Sequence, residues 1–143
     1  MIAGDKPIYC IIAGSRKFHD FELMRVRLDG YFQRAFEKNI PIIIISGTAG
    51  GADQLGERYA ELRGLECIRM PAEWNKYGRS AGYKRNVEMA KVSTHLVAFW
   101  DGNTHRSGTN HMINISKEHH LISRIVMFES VATPKPTVLP KGL

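Results

Sequence analysis

A glycine-rich segment, residues 46–53 (Ser-Gly-Thr-Ala-Gly-Gly-Ala-Asp), leads from an apolar run directly into a helical pattern. Backbone amides at the start of a helix carry partial positive charge, and glycines leave them uncovered, so this segment predicts a cradle for an anion. It is not a Walker A loop, because no Lys-Ser/Thr pair follows, and its glycine spacing differs from the dinucleotide fingerprint. Asp53 has two interpretations: it complements the helix dipole, or it accepts a ribose hydroxyl.

A second segment with uncovered helix-start amides follows the apolar run that ends at Trp100. Asp101 and Gly102 turn the chain there, and Ser-Gly-Thr at residues 107–109 opens the next helical pattern. Two helix N-termini that face one crevice bind an anion better than either does alone. We therefore expect residues 47–53 and 107–109 to converge on a phosphate, and this pairing is the strongest physical indication of function in the sequence.

The first apolar run of the chain is also followed by a turn with polar side chains. Gly14 lets the backbone turn tightly and approach a ligand, while Ser15 and Arg16 offer a hydroxyl and a guanidinium. Because a glycine turn after a strand is common, this turn supports a binding site only together with the other segments.

Residues 71–86 alternate aromatic side chains with cations and contain two glycines. This composition favours a lid in which Trp74 stacks on a base and cations hold a phosphate. Alternatively, Trp74 packs the segment onto the core. Arg85 lies near the start of a helical pattern, where the helix dipole disfavours a cation, and this favours a ligand contact over a purely structural role.

These segments need a scaffold that brings them to one place. Five short apolar runs, each followed by a turn and a longer mixed segment, predict β-strands at residues 8–13, 42–46, 66–70, 95–100 and 124–128. The second run contains four consecutive isoleucines, which is typical of a strand covered on both faces. Apolar spacing of three and four residues between the runs predicts helices, and Gly64 is expected to end the second of them.

The alternation of strands and helices predicts an α/β fold, a Rossmann-like three-layer sandwich with a five-stranded, mainly parallel sheet. In such a sheet, ligands bind beyond the carboxyl ends of the strands, where neighbouring connections leave to opposite faces. The segments described above all follow predicted strands. We therefore expect them to surround one site at that edge of the sheet.

The length of 143 residues, with 43% hydrophobic and 24% charged residues, fits one domain and excludes disordered and fibrous classes. We expect a nucleotide-binding domain at residues 1–128 and a proline-containing C-terminal tail at 129–143. No apolar run reaches the roughly 18 residues that a membrane-spanning helix needs. The first residues do not resemble a signal peptide, so we expect a cytoplasmic protein.

The net charge, the cysteines and the histidines restrict the possible functions of the protein further. A formal net charge of +6 favours an anionic partner, although no basic run of the kind common in nucleic-acid binders is present.

Cys10 and Cys67 lie within apolar strand-like runs and are expected to be buried free thiols. The adjacent His119 and His120 point about 100° apart on a helix, and no HExxH pattern or cysteine cluster occurs, so we expect no metal. A nucleophile elbow of the GxSxG type is also absent from the sequence.

Taken in order, these motifs resemble those of the YspA-like branch of the SLOG superfamily, which joins the DNA-processing protein DprA/SMF with the Lonely Guy phosphoribohydrolases. The resemblance covers about residues 8–128 and depends on residues 12–16, 46–53, 71–74, 81–90, 98–102 and 107–109. It implies a Rossmann-like fold that binds nucleotides or nucleotide-derived signals.

The Lonely Guy enzymes hydrolyse the bond between a base and ribose 5′-monophosphate. They use an Arg in an Arg-x-x-x-Met pattern and a Glu three residues after a Gly-Thr pair. Arg85 with Met89 is similar to the first element and residues 108–109 to the second, but Met112 stands at the position of the Glu. A thioether neither accepts a proton nor stabilises an oxocarbenium ion.

The resemblance therefore implies that another acid would have to replace this Glu in an enzyme, and Asp53, Glu88 and Asp101 are the candidates. The sequence leaves open whether the protein is an enzyme. If it is one, the catalytic residues we expect are Asp53 and Arg85.

The function we predict is binding of a nucleotide or nucleotide-derived ligand, in a sensor or a sequestering protein. One alternative is a hydrolase or transferase acting on the N-glycosidic or phosphate bond of a nucleotide. A second is a single-stranded DNA binder of the DprA type, which we favour less; no cofactor and no membrane partner are expected. The residues predicted to bind the ligand are Gly14, Ser15, Arg16, Gly47, Thr48, Ala49, Gly50, Gly51, Ala52, Asp53, Trp74, Arg85, Asn86, Trp100, Asp101, Gly102, Ser107, Gly108 and Thr109.

We also expect a homo-oligomer, a homodimer before any larger assembly. The contact surface is predicted on the helices that follow the third and fourth strands. Besides the family resemblance, the basis for this expectation is that Met89, Met112 and Ile113 exceed what one small sheet is expected to bury.

Overall fold

A computed structural model describes residues 6–129, which form a five-stranded sheet between two layers of helices. All strand pairs in it are parallel, and the strand order is β3-β2-β1-β4-β5. The strands are β1 (Ile8–Gly14), β2 (Ile42–Ser46), β3 (Glu66–Arg69), β4 (His95–Trp100) and β5 (Ile122–Met127). The predicted α/β fold with a Rossmann-like parallel sheet is thereby confirmed. The last strand begins two residues before the predicted start at residue 124 and ends one residue before the predicted end.

At least one helix connects each strand to the next, as expected for crossovers between parallel strands, and two helices lie between β3 and β4. A short 3₁₀ turn (Gly78–Ser80) separates two of them. Gly64 has a left-handed φ of 67° and ends the second helix, as predicted. The helices are α1 (Phe21–Glu37), α2 (Ala52–Arg63), α3 (Trp74–Tyr77), α4 (Ala81–Val92) and α5 (Gly108–Glu118).

The isoleucines of β2 are buried on both faces of the sheet, as their unbroken run predicted. Successive side chains of a strand point to opposite faces. Accordingly, Ile42 and Ile44 pack in the layer formed with α1 and α2, while Ile43 and Ile45 pack in the layer formed with α4 and α5. The core therefore consists of two apolar layers that share one sheet.

The order of the strands creates a crevice beside β1. This central strand pairs with β2 on one side and with β4 on the other. The chain reaches β4 only after crossing from β3 at the edge, so the connection after β1 leaves to one face and the connection after β4 leaves to the other. The carboxyl ends of β1 and β4 are thus the place where a doubly wound sheet opens for a ligand.

Two expectations about burial need correction. Cys10 is fully buried, but Cys67 is only half-buried, because β3 is an edge strand with one neighbour. The side chains that suggested a dimer surface, Met89, Met112 and Ile113, are all buried within this chain between the sheet and helices α4 and α5.

Apart from residue 129, the predicted tail at 129–143 lies outside the described residues. Within residues 6–129, no helix has the length and the apolar character that crossing a membrane demands.

Candidate functional site

A cleft of about 530 Å³ opens at the carboxyl ends of β1 and β4. The loops after β1, β2 and β4 and the first turns of α4 and α5 form its walls. Twelve of the predicted ligand-binding residues line it, namely Gly14, Ser15, Arg16, Ala49, Asp53, Trp74, Arg85, Asn86, Asp101, Ser107, Gly108 and Thr109. The other seven, Gly47, Thr48, Gly50, Gly51, Ala52, Trp100 and Gly102, lie outside its lining.

The turn after β1 is held against both neighbouring elements. A Cβ atom at Gly14 would overlap the carbonyl oxygen of Phe99, so only glycine lets β1 lie this close to β4 here. The amide of Ser15 donates to the same Phe99 oxygen at 3.0 Å, and the carbonyl of Ser15 accepts from the amide of Ala52 at 3.1 Å. The turn therefore joins the end of β4 to the start of α2.

Several amides of the glycine-rich segment at residues 47–53 already have partners within the protein. The amide of Ala49 donates to Oδ2 of Asp53 at 3.1 Å. The amide of Ala52 donates to Ser15, as described above. The chain itself therefore occupies part of the predicted anion cradle, and the segment also presents the Asp53 carboxyl to the cleft.

A polar network beneath the same segment holds its conformation. The amide of Thr48, whose φ is 62°, donates to Oγ of Ser46 at 3.1 Å. The Ser46 hydroxyl in turn donates to Glu57 at 2.7 Å, and Nε of Arg69 donates to the second oxygen of Glu57 at 2.9 Å. These contacts were not predicted, and those of Glu57 with Ser46 and Arg69 join residues 11 and 12 positions apart in sequence.

The carboxyl of Asp53 is buried at the base of the cleft wall. Burial raises the pKa of this carboxyl to about 6. The amide of Ala49 and the positive charges of Arg85 and Arg16 act in the opposite direction and favour the ionised form. Asp53 also occupies the first turn of α2, so both sequence-based interpretations of it remain compatible with its position.

Arg85 connects three loops as well as facing the cleft. Its Nη1 donates to the carbonyl of Gly47 and, at 3.4 Å, to that of Met70, while its Nε donates to Oδ1 of Asn86 at 3.1 Å. Burial lowers the pKa of Arg85, and the nearby Asp53 carboxylate opposes that change. The guanidinium therefore ties the loops after β2 and β3 to α4, and its Nη2 has no protein partner within residues 6–129.

The N-terminus of α5 lies at the cleft wall, and its first two residues line the cleft. Ser107 caps the helix by accepting from the amide of Asn110 at 3.0 Å. Gly108 and Thr109 follow as the first helical residues, whose amides have no acceptor inside the helix. Thr109 is only 8% exposed and lines the cleft, and its hydroxyl has no hydrogen-bond partner in the described part of the chain.

Aromatic side chains stand at the rim of the cleft. Trp74 is 52% exposed, so it does not pack onto the core as one interpretation had it. It lies against Gly82, where an added Cβ would be 3.3 Å from the indole ring. Tyr83 is also exposed, and its ring centroid lies 4.4 Å from that of His111. Both rings are therefore available to stack on a planar ligand.

The floor of the cleft is apolar where the Lonely Guy enzymes have a glutamate. Met112 and Met89 are both buried there and both line the cleft. Asp101 also lines it, and its carboxylate accepts from the amide of Asn103 at 3.0 Å. Of the three acids considered as replacements, Asp53 and Asp101 line the cleft and the exposed Glu88 does not.

Nine residues that line the cleft, several of them charged, were not among the ligand-binding residues predicted from the sequence. They are Ala13, Lys17, Arg79, Gly82, Tyr83, Met89, Asn103, Arg106 and Met112. Most belong to the same loops and first helical turns as the predicted residues, so their position after a strand was the available signal. Five cations and two carboxylates line the cleft in total, so positive side chains exceed negative ones there.

Comparisons with known proteins agree with the fold. Residues 9–77 match the model of the YAcAr family, described as the YspA, cpYpsA-related SLOG family. The predicted resemblance to this branch of the SLOG superfamily is confirmed. The matched segment contains Asp53 and ends before Arg85 and the start of α5. Among curated proteins, no match to this chain was found.

One solved structure with a similar fold is the DNA processing protein A (DprA) from Streptococcus pneumoniae. It is 16% identical, with a TM-score of 0.61 over 84% of this chain. The chain spans about half the length of that protein, because the match covers 50% of it. At this identity the likeness shows the fold.

Proposed function

We propose that this protein binds a nucleotide or a nucleotide-derived ligand in the cleft at the carboxyl ends of β1 and β4, as a sensor or a sequestering protein. One observation carries the proposal: an uncovered helix N-terminus, a surplus of cations and two exposed aromatic rings line the same cleft. These are the groups that recognise a phosphate and a base.

The phosphate is assigned to the start of α5. Gly108 and Thr109 line the cleft, and the Thr109 hydroxyl has no hydrogen-bond partner among residues 6–129, so it is free to donate to a ligand. Arg16 and Arg106 line the cleft with them and add positive charge. The start of α2 is less suited to this role, because the amide of Ala52 donates to Ser15 and the amide of Ala49, in the preceding loop, donates to Asp53.

The base is assigned to the rim, where Trp74 and Tyr83 are exposed. The sugar then lies between rim and phosphate, within reach of the Asp53 carboxyl. A carboxylate repels a phosphate but accepts a hydroxyl, so this assignment places each part of a nucleotide beside a compatible group. The match to a SLOG family supports a nucleotide-related role in general terms.

Two measurements test this function. Mass spectrometry of small molecules released from the purified protein identifies a bound ligand, and calorimetry compares AMP with adenosine. We expect AMP to bind at least about tenfold more tightly, because the phosphate adds charge-assisted hydrogen bonds. Equal affinity for AMP and adenosine would contradict the phosphate assignment.

A matched pair of variants locates the phosphate. Thr109→Val removes the hydroxyl but retains the shape of the side chain, and we expect it to weaken AMP binding about three- to tenfold. Thr104→Val makes the same change in an exposed residue of the same loop that does not line the cleft. Binding that falls equally in both variants, or in neither, would exclude the assignment to α5.

DNA binding is the outcome that would replace this proposal. A nucleotide in a cleft engages few phosphates, whereas single-stranded DNA engages many, so the logarithm of its affinity falls steeply with the logarithm of the salt concentration. Tight binding of an oligonucleotide with a slope spanning several phosphates, together with no measurable binding of AMP, would favour the DNA-binding alternative.

A second candidate function is hydrolysis of the N-glycosidic bond, and the position of Asp53 favours it. Its carboxyl lines the cleft and has a pKa raised to about 6, so at neutral pH it is largely ionised. In this reaction water adds its oxygen to C1′, the base departs with the electron pair of the broken bond, and one proton of the water passes to the base while the other stays on the new sugar hydroxyl. Asp53 would stabilise the cationic sugar or accept the proton of water.

Chromatography decides between binder and enzyme. Because Met112 supplies no acid, we expect the wild type to leave nucleoside monophosphates intact. Met112→Glu would introduce the missing carboxyl and allow at most slow release of base, because burial would raise its pKa and neutralise it. Release of free base by the wild type that is lost in Asp53→Asn would establish the enzyme.

A further inference from the structure

The carboxamide of Asn86 makes contacts in three directions inside the cleft wall. Asn86 lies in the second turn of α4 and is 5% exposed. Its Oδ1 accepts from Nε of Arg85 at 3.1 Å. Its Nδ2 lies 3.3 Å from the carbonyl oxygen of Gly108 and 3.1 Å from Nδ1 of His111. One side chain thus connects the Arg85 guanidinium, the start of α5 and a histidine on α5.

These contacts fix which way the carboxamide faces. The guanidinium of Arg85 only donates and the carbonyl of Gly108 only accepts. A reversed amide would place NH₂ against Arg85 and oxygen against Gly108, so both hydrogen bonds would be lost. The arrangement therefore uses both hydrogens of the amide and one lone pair of its oxygen, so the amide has no donor left for a ligand.

The same contacts fix the protonation of His111. Both hydrogens of Nδ2 are needed, one for Gly108 and one for His111, so Nδ1 of His111 must accept and the ring proton must lie on Nε2. Burial lowers the pKa of His111, while the charge of Glu118 acts against this, so the ring is neutral near pH 7. The neutral ring packs against Tyr83 at the rim.

We infer that Asn86 is the positioning residue of the cleft: it holds the guanidinium of Arg85, the start of α5 and the His111–Tyr83 pair in one arrangement without contacting the ligand. This role rests on the proposed function, since the start of α5 and Tyr83 are assigned to ligand binding and Arg85 lines the same cleft. It differs from the ligand contact that sequence analysis predicted for Asn86.

The variant Asn86→Asp is expected to keep one of the Asn86 hydrogen bonds and to remove another. A carboxylate of the same shape still accepts from Arg85 but cannot donate to Gly108, and it bonds to Nδ1 of His111 only when that nitrogen carries a proton. We therefore expect the pKa of His111 to rise from below the ordinary histidine value to above it, and the affinity for AMP to fall about tenfold.

A second variant changes a residue that is hydrogen-bonded to Asn86 but does not line the cleft. His111→Phe retains a flat ring beside Tyr83 but removes the acceptor of one Asn86 hydrogen, and His111 does not line the cleft. We expect AMP affinity to fall about three- to tenfold in this variant. Glu88→Gln is the control, because Glu88 lies on the same helix, is exposed and pairs with Lys91.

NMR titration of the histidine resonances and calorimetry with AMP are the two measurements. A pKa of His111 that is the same in wild type and Asn86→Asp overturns the inference, as does unchanged AMP affinity in His111→Phe. The titration needs no ligand. If the wild type binds no AMP, the proposed phosphate site fails, while the pKa of His111 still decides whether Asn86 organises the α4–α5 wall.

Discussion

Nη1 of Arg85 donates to the carbonyl of Gly47, and a Cβ atom added to Gly47 would lie 2.5 Å from that same nitrogen. The Arg85 guanidinium can therefore lie between the loops after β2 and β3 only because residue 47 has no side chain. Gly47 does not line the cleft, yet it determines where a cleft residue lies.

This relationship predicts the effect of Gly47→Ala. The new methyl group must displace the Arg85 guanidinium, so we expect weaker AMP binding and a loss of stability of about 1–3 kcal/mol, the cost of disturbing a hydrogen-bonded charged group. Calorimetry and urea denaturation measure the two effects. Gly50→Ala is the control, because no atom lies within 4 Å of a Cβ at that position. Equal effects of both substitutions would contradict the prediction.

Arg85→Ala should affect both binding and folding. If Arg85 contacts a phosphate, as expected from the sequence, we expect a ten- to hundredfold loss of nucleotide affinity, because a charge-assisted contact contributes about 1.5–3 kcal/mol. The bonds to Gly47 and Met70 lead us to expect an additional destabilisation of about 1.5–3 kcal/mol, since they join two loops to α4. Urea denaturation of the ligand-free protein measures this cost. A variant as stable as the wild type would show that these bonds contribute nothing net.

The raised pKa of Asp53 predicts a dependence of stability on pH. Because its carboxyl has a pKa of about 6 when folded and an ordinary value of 3.8, the folded state holds its proton more tightly. The resulting stabilisation is present below about pH 4 and is lost as the pH rises through 6. Asp53→Asn should therefore gain about 1–3 kcal/mol relative to the wild type between pH 4 and 7.

Thermal denaturation across this pH range tests the Asp53 prediction. Asp101→Asn serves as the control, because Asp101 lines the same cleft and an amide oxygen can still accept from the amide of Asn103. A difference between Asp53→Asn and the wild type that stays constant from pH 4 to 7 would contradict the raised pKa.

The predicted homodimer can be tested on α4. Met89, Met112 and Ile113 are buried in the single chain, so a contact on this face has to use exposed side chains such as Val92. We expect light scattering at micromolar concentration to show a dimer for the wild type and a monomer for Val92→Asp, because a buried unpaired charge opposes association. Val26→Asp is a matched control, since Val26 on α1 is 52% exposed, as is Val92. A monomeric wild type would refute the prediction.

The sequence by itself determined the scaffold and the region of the site. The isoleucines of β2, the three- and four-residue spacing of the helices and the cap at Gly64 are local patterns, and each predicted its element. Parallel strands bring their carboxyl ends to one edge, so the loops after them could be expected to surround one cleft.

Only the tertiary structure decided which groups in those loops are available. Both helix starts looked equally suited to an anion. In the fold, the carbonyl of Ser15 occupies the amide of Ala52 in α2 and the carboxyl of Asp53 occupies the amide of Ala49 just before it. The first residues of α5, Gly108 and Thr109, line the cleft instead. Likewise, Asn86 was predicted as a ligand contact, and its amide donates both hydrogens to α5 and accepts from Arg85. A local pattern specifies an element's conformation, whereas the partners of its polar groups come from residues that are distant in sequence, and only the packed fold brings these together.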